Sequence, residues 1–122
     1  MKEYPGSMIA LDEDAVERLM SVLPTGKTHA VTMAQLQRRM GLRPQRTAET
    51  ARAIVKYAIE RHHHLICTGA RGVWAPTSVD EVHAYIDSLQ SRMAGIQRRR
   101  DALTEALTIR AGVLADRANG GA

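Results

Sequence analysis

The chain has very few aromatic residues: they make up 3% of its 122 positions, and Phe is absent altogether. A core short of rings must be filled by Leu, Ile, Val, Met and Ala, which favours packed helices over a large sheet. There is a single cysteine, Cys67, so no internal disulfide framework can form, which fits a reducing cytoplasm. No apolar run approaches the ~20 residues needed to span a bilayer. The opening Met1-Lys2-Glu3-Tyr4-Pro5-Gly6 holds no apolar stretch of the signal-peptide kind. Together these absences predict a cytoplasmic protein without a membrane partner. A Gly-rich phosphate loop, a catalytic triad and a metal-hydrolase motif are also missing. The expectation is a non-enzyme with no cofactor, no metal and no small-molecule substrate.

What is present is the composition of an ordinary globular chain, 44% hydrophobic and 25% charged. Its length suffices for one domain and an appended element. The net charge is +4, but it is unevenly placed. Residues 1–25 hold two Lys/Arg against five Asp/Glu, residues 26–72 nine against two, and residues 73–122 six against six. All the excess positive charge lies in one middle segment. That is the footprint of a polyanion-binding face, although a solvated basic surface would read the same way.

Residues 1–7 read as a flexible leader. Leu11, Ala15, Val16, Leu19, Met20 and Leu23 follow helical spacing, with Asp12, Glu13 and Asp14 at the positive end of the helix dipole and Pro24-Thr25-Gly26 as the stop. His29-Ala30-Val31 reads as a short extended piece. Thr32 to Gln35 has the form of a capping box opening a helix that runs to Met40, with Leu36 and Met40 inward. Gly41 can close that helix in the left-handed conformation, with Leu42 plugging the turn. A third helix is expected from Gln45 or Thr47 to Arg61. Ala51, Ile54, Val55, Ala58 and Ile59 lie on one side and Arg46, Glu49, Ala53, Lys56 and Glu60 on the other. This is a helix-turn-helix spacing. Leu65–Thr68 and Val73–Ala75 then read as two strands around Gly69-Ala70-Arg71-Gly72, a tight hairpin with one charge at its tip. A helix-turn-helix followed at once by a hairpin predicts a winged helix; a hairpin that merely caps the core is the alternative.

Ser78 and Glu81 suggest another capping box. Beyond it Val79, Val82, Ile86, Leu89, Met93, Ile96, Arg100, Leu103, Leu107, Arg110 and Leu114 alternate in steps of three and four, the period of a coiled-coil seam. A lone helix with such a stripe needs a partner. A second copy of the chain, meeting Val82, Ile86, Leu89, Met93, Ile96, Leu103 and Leu107, is the natural one; folding back over its own domain is the alternative. The expected fold class is mainly α, a winged helix-turn-helix over residues 8–76 with a long C-terminal coiled-coil helix for dimerisation over residues 77–117.

The chain resembles a family of small winged helix-turn-helix DNA-binding proteins of phages and prophages. The resemblance rests on Leu23-Pro24, Gly26, Thr32 to Leu42, Ile66-Cys67 and Gly72-Val73-Trp74. The final helix adds Asp80-Glu81, Tyr85-Ile86, Ser88-Leu89, Arg92 and Ile96. It spans residues 19 to 107. Val73 stands where the family carries the first of two aromatics. The resemblance implies a winged helix-turn-helix that binds DNA; with the basic segment and the heptad spacing, the expected function is a phage-type transcriptional regulator binding double-stranded DNA as a homodimer.

In such a fold the third helix enters the major groove and the hairpin touches the backbone. Arg46 has the chemistry to read guanine and Gln45 to read adenine. Thr50 suits a thymine methyl or a phosphate. Arg38, Arg39, Arg43, Arg52 and Lys56 suit phosphates, and Arg71 at the tip suits phosphate or the minor groove. His62-His63-His64 point in different directions at a helix end and suit the negative end of its dipole better than a zinc ion. Cys67 reads as a buried strand residue. The second functional reading is a winged-helix module that binds a host or phage protein.

Overall fold

The computed structural model of the chain describes residues 10–120; the leader expected over residues 1–7 lies outside the described residues. The protein is mainly helical, with a small two-stranded antiparallel sheet and a long C-terminal helix. In chain order the elements are α1 (Glu13–Val22), a 3-10 turn (Lys27–His29), α2 (Met33–Arg39), α3 (Glu49–His62), β1 (Cys67–Gly69), β2 (Gly72–Trp74) and α4 (Val79–Ala118). Among the described residues no helix is long and apolar enough to cross a membrane.

Local chemistry sets most of the helix ends. Asp12 caps α1, its carboxylate accepting from the Ala15 amide at 3.1 Å. The chain turns extended at Leu23, one residue before Pro24, which could not continue the ladder. The capping box of α2 is complete: Thr32 Oγ1 accepts from the Gln35 amide at 3.1 Å and Gln35 Oε1 from the Thr32 amide at 2.8 Å. Gly41, at φ 74°, ends α2. The Gly41 and Leu42 amides then donate to the Arg38 and Gln37 carbonyls, the paired bonds of a Schellman stop. Leu42 packs against the core, as its spacing predicts.

The third helix departs from expectation. It begins at Glu49, not at Gln45 or Thr47, because Ala48 sits in the left-handed region at φ 53° and its amide closes a turn onto the Gln45 carbonyl. Its inward stripe is Ala51, Ile54, Val55 and Ala58, spaced three and four apart; Ile59 falls at the edge of that stripe and is exposed. These residues join Ala15, Val16 and Leu19 of α1, Leu36 and Met40 around α2, and Val31, Ile66 and Val73 in one hydrophobic core.

The hairpin is shorter than the sequence suggests. β1 and β2 pair with Cys67 opposite Trp74, Thr68 opposite Val73 and Gly69 opposite Gly72. The expected extended piece is reduced as well: His29 ends the 3-10 turn, and Val31 alone pairs with Val73, by bonds of 3.2 and 2.7 Å. Ala75 leaves the hairpin to pair with Thr25 in parallel. Consecutive strand residues face opposite ways. Val73 therefore enters the core with Ile66, whereas Trp74 lies buried at 4% exposure outside that cluster.

The chain divides into two units, Met1–His83 and Ala84–Ala122, the boundary falling inside α4. The first turn of α4 is capped by Ser78, whose hydroxyl accepts from the Glu81 amide at 3.1 Å. The expected return contact differs: the Glu81 carboxylate reaches the Thr77 amide at 2.7 Å, not that of Ser78. Within the second unit Arg110 leaves helical geometry at φ −117° and ψ 24°, a break that the regular heptad spacing does not foretell.

Gly72 makes the tightest approach of the described glycines. At φ 119° it lies so close to Val31 that an added Cβ would fall 2.0 Å from the Val31 carbonyl oxygen. Neither Ala70 nor Arg71 has positive φ, so Gly72 completes the reversal of the hairpin. Gly72→Ala is expected to cost more than ~1 kcal/mol, since a positive φ and a steric clash both oppose it. For a domain of this size the melting temperature should fall by at least about 4 °C. An unchanged melting temperature would mean that the Val31–Val73 pairing is dispensable.

Candidate nucleic-acid interface

The turn between α2 and α3 is organised by a residue that apolar spacing passes over. Gln37, on α2, is 1% exposed. A buried amide needs partners on both its oxygen and its nitrogen. Gln37 Nε2 donates to the Arg43 carbonyl at 2.6 Å and to Gln45 Oε1 at 2.9 Å, and Gln37 Oε1 accepts from the Ala51 amide at 3.1 Å. Gln45 Oε1 also accepts from the Thr50 amide at 2.9 Å. Two glutamine side chains thus cap the first turn of α3 and tie it to the turn before it.

This arrangement corrects two expectations about base contacts. Gln45 precedes α3, and its side-chain oxygen already serves two donors inside the protein. A bidentate contact to adenine needs that oxygen free. Thr50 is 1% exposed, in the first turn of α3 and turned into the core, so it cannot meet a thymine methyl or a phosphate. Its hydroxyl has no hydrogen-bond partner among the described residues.

Arg46 is exposed in the turn three residues before α3 begins, so it presents its guanidinium from a loop and not from the helix expected there. Glu49 opens α3 and accepts a hydrogen bond from the Thr47 hydroxyl. That bond, with the Glu49 amide and Arg52, holds its carboxyl below the usual glutamate value. Arg52 is tied to the same loop, Nε donating to the Thr47 carbonyl at 2.7 Å. Lys56 follows one turn later on the exposed side of α3. Arg38, Arg43 and Arg71 are exposed on α2, on the turn and at the hairpin tip. Arg39 turns toward α1, where Nη1 lies 3.4 Å from the Val22 carbonyl. Among the described residues the only ion pair is Arg100 with Asp101, on α4. Arg38, Arg43, Arg46, Lys56 and Arg71 therefore have no described carboxylate at ion-pair distance.

A second cluster forms behind the hairpin. Trp74 Nε1 donates to Glu81 Oε1 at 2.8 Å, while Glu81 Oε2 accepts from the Thr77 amide and hydroxyl at 2.7 and 2.8 Å. The Lys27 ammonium lies 5.9 Å from the indole centroid. The Thr77 amide and hydroxyl hold the Glu81 carboxyl below its usual value, and the Trp74 indole adds to them. Burial, and then the charge of Glu81, push the Cys67 thiol up, so it stays protonated in its buried place. At the other end of α3, His62 packs against Tyr57 at 5.1 Å and stacks with His64 at 6.4 Å. The His63 and His64 amides both donate to the Ala58 carbonyl and close the helix. No group of His, Cys, Asp and Glu suited to a metal ion occurs among the described residues.

Comparison with family models, with curated proteins and with solved structures finds no match to this chain.

Two side chains that organise this region, Gln37 and Glu81, stand outside the set that sequence singled out for DNA contact. A signal for Gln37 was present: it occupies an inward position, one residue after Leu36 and three before Met40, where an apolar residue is expected. Glu81 supplies an acid-sensitive contact between Trp74 and the first turn of α4. Its carboxyl titrates lower in the folded chain than in the unfolded one. Its stabilising effect is thus present above the unfolded value and disappears as pH falls through the folded one. Glu81→Gln should lower the melting temperature at neutral pH, and its difference from wild type should shrink below about pH 4. A difference that stays constant with pH would show that the carboxylate charge is not what holds Trp74.

Proposed function

We propose that this protein is a winged helix-turn-helix that binds double-stranded DNA sequence-specifically as a homodimer, in the manner of a phage-type transcriptional regulator. The observation that carries the reading is the middle segment, residues 26–72. Nine Lys/Arg against two Asp/Glu are concentrated there; all nine are exposed, and none lies at ion-pair distance from a described carboxylate. Burying such groups against phosphate releases condensed counterions, which is the main driving force for binding a duplex. The order of elements supports the fold. Two helices separated by a Schellman stop and a turn are followed by a hairpin, and Val31, between α1 and α2, adds a third strand position against β2. The sequence resemblance to small phage DNA-binding proteins points the same way.

In this reading Arg46 reads a base edge from the turn at the head of α3, while Lys56 and Arg71 hold phosphates. A base-reading contact is worth about 1–3 kcal/mol of discrimination, whereas losing a phosphate contact weakens all sequences alike and lowers the salt slope by about one. A preferred site selected from genomic fragments, and a scrambled duplex, would be titrated at about 50 and about 200 mM salt. Affinity should fall at least ~10-fold over that range. Arg46→Ala should narrow the gap between the two duplexes and Lys56→Ala should preserve it. If Arg46→Ala weakens both equally, Arg46 is a phosphate contact. If no duplex is bound, the DNA reading fails.

The dimer rests on α4. Its seam residues Val79, Ile86, Met93, Ile96, Leu103, Leu107 and Leu114 are 45 to 71% exposed. An apolar stripe left in water favours association with a second copy. Ile86→Asp with Leu89→Asp should give a monomer by light scattering, with the first unit still folded. A mutant that stays dimeric, or a wild type that is monomeric at micromolar concentration, would remove the seam from the mechanism. The same exposed seam also favours a second reading, a module that binds another protein through α4. That reading takes over if the wild type is monomeric and binds no duplex.

A further inference from the structure

We propose that Gln37 is a specificity-determining positioning residue: it never meets DNA, yet it sets the conformation of the 43–48 turn that presents Arg43 and Arg46. The inference deepens the DNA-binding reading above and rests on it. Its basis is the span of the Gln37 amide. One buried side chain reaches the carbonyl of Arg43, the side chain of Gln45 and the amide of Ala51, which lie 6, 8 and 14 residues away in sequence. Gln45, on the other side, holds the Thr50 amide. Arg46 lies between these anchors, followed by Thr47, whose carbonyl is held by Arg52, and by the left-handed Ala48. The turn is short and is held at both ends, so the direction of the Arg46 side chain follows from where those ends are fixed.

The chemistry admits no simple substitute. Gln37 must donate two bonds from nitrogen and accept one at oxygen, in a site that water does not reach. A glutamate there would set its carboxylate against the Arg43 carbonyl and Gln45 Oε1, two acceptors. A methionine fills the volume but makes none of the three bonds, leaving the buried Ala51 amide without its acceptor. In either case the turn is released from α3 while the apolar side chains of the core remain in place. Base readout tolerates little displacement of a bidentate guanidinium, whereas phosphate contacts from flexible arginines adjust.

The experiment compares wild type with Gln37→Met and Gln37→Glu at a temperature where all three are folded by circular dichroism. Each is titrated against the selected site and a scrambled duplex at two salt concentrations. Gln37→Met should reduce the ratio of the two affinities about 10-fold or more, with affinity for the scrambled duplex and the salt slope unchanged. Gln45→Met should do the same, and the double variant should be no worse than either single one, because both act through one network. In the free protein, amide shifts should change over residues 43–51 and not in α1 or the hairpin. A merely structural role would lower the melting temperature and leave the affinity ratio unchanged, which overturns the proposal. Amide shifts confined to the substituted residue would overturn it as well. If wild-type protein binds no duplex while the shifts change as expected, it is the DNA reading that fails, and the specificity role fails with it.

Discussion

The buried amide of Gln37 is the constraint on which the candidate interface depends. An α-helix leaves its first amides without partners, and at the start of α3 those of Thr50 and Ala51 point into a region that water cannot reach. Gln37 and Gln45 supply the missing acceptors. An N-cap at position 48 is thereby unnecessary, and Ala48, which has no side-chain oxygen, can stand there in a left-handed conformation. The turn can then carry arginines in place of the usual capping residues. Charge and capping, which in many turns compete for the same positions, are separated here: capping comes from within, and the basic side chains face outward.

The same division recurs behind the hairpin. Val73 and Ile66 give their side chains to the common core, and Gly72 lets the backbone lie against Val31. Trp74, on the opposite face, is held by Glu81 from the first turn of α4 and stacked under Lys27. One strand residue therefore joins the hairpin to the helices and its neighbour joins it to the C-terminal helix. The hairpin is only three residues per strand. A sheet that short draws its stability from what it packs against, not from its own ladder. The tip, Ala70-Arg71, is left exposed and carries its single charge away from both attachments.

The second unit follows different physics. Between Ala84 and Ala122 no described residue is buried; the exposed Ile86, Met93, Ile96, Leu103, Leu107 and Leu114 recur at heptad spacing, while Ile109 and Val113 are exposed off that series. Such a helix is not a folding unit in isolation, since most helical stability in proteins comes from burying an apolar face. Arg100 and Arg110 interrupt the stripe, and Arg110 coincides with the departure from helical geometry. A charged residue in a seam costs stability while restricting the registers that two helices can adopt.

Much of this architecture could be read from neighbouring residues. The capping box at Thr32 and Gln35, the Asp12 cap, the stop at Gly41 with Leu42 beneath it, the hairpin tip and the long C-terminal helix all depend on groups within a turn or two of one another. Spacing rules describe such groups because the partners are fixed by the helix or turn itself. The concentration of positive charge in residues 26–72 was likewise a property of sequence alone. The start of α3 was not legible, because it depends on Gln37 reaching Ala51 and on Ala48 taking a conformation that nothing local demands. The roles of Gln45 and Thr50 were misread for the same reason: a polar side chain near a helix start looks solvent-facing until the packing of another helix encloses it. Glu81 was read as the partner of Ser78, and only the folded position of Trp74 shows which donor wins. Sequence by itself determined the order of the elements, the caps whose partners lie within one turn, and where positive charge is concentrated. The tertiary structure decided which polar side chains are held inside and which face solvent, because burial is a property of where distant segments meet.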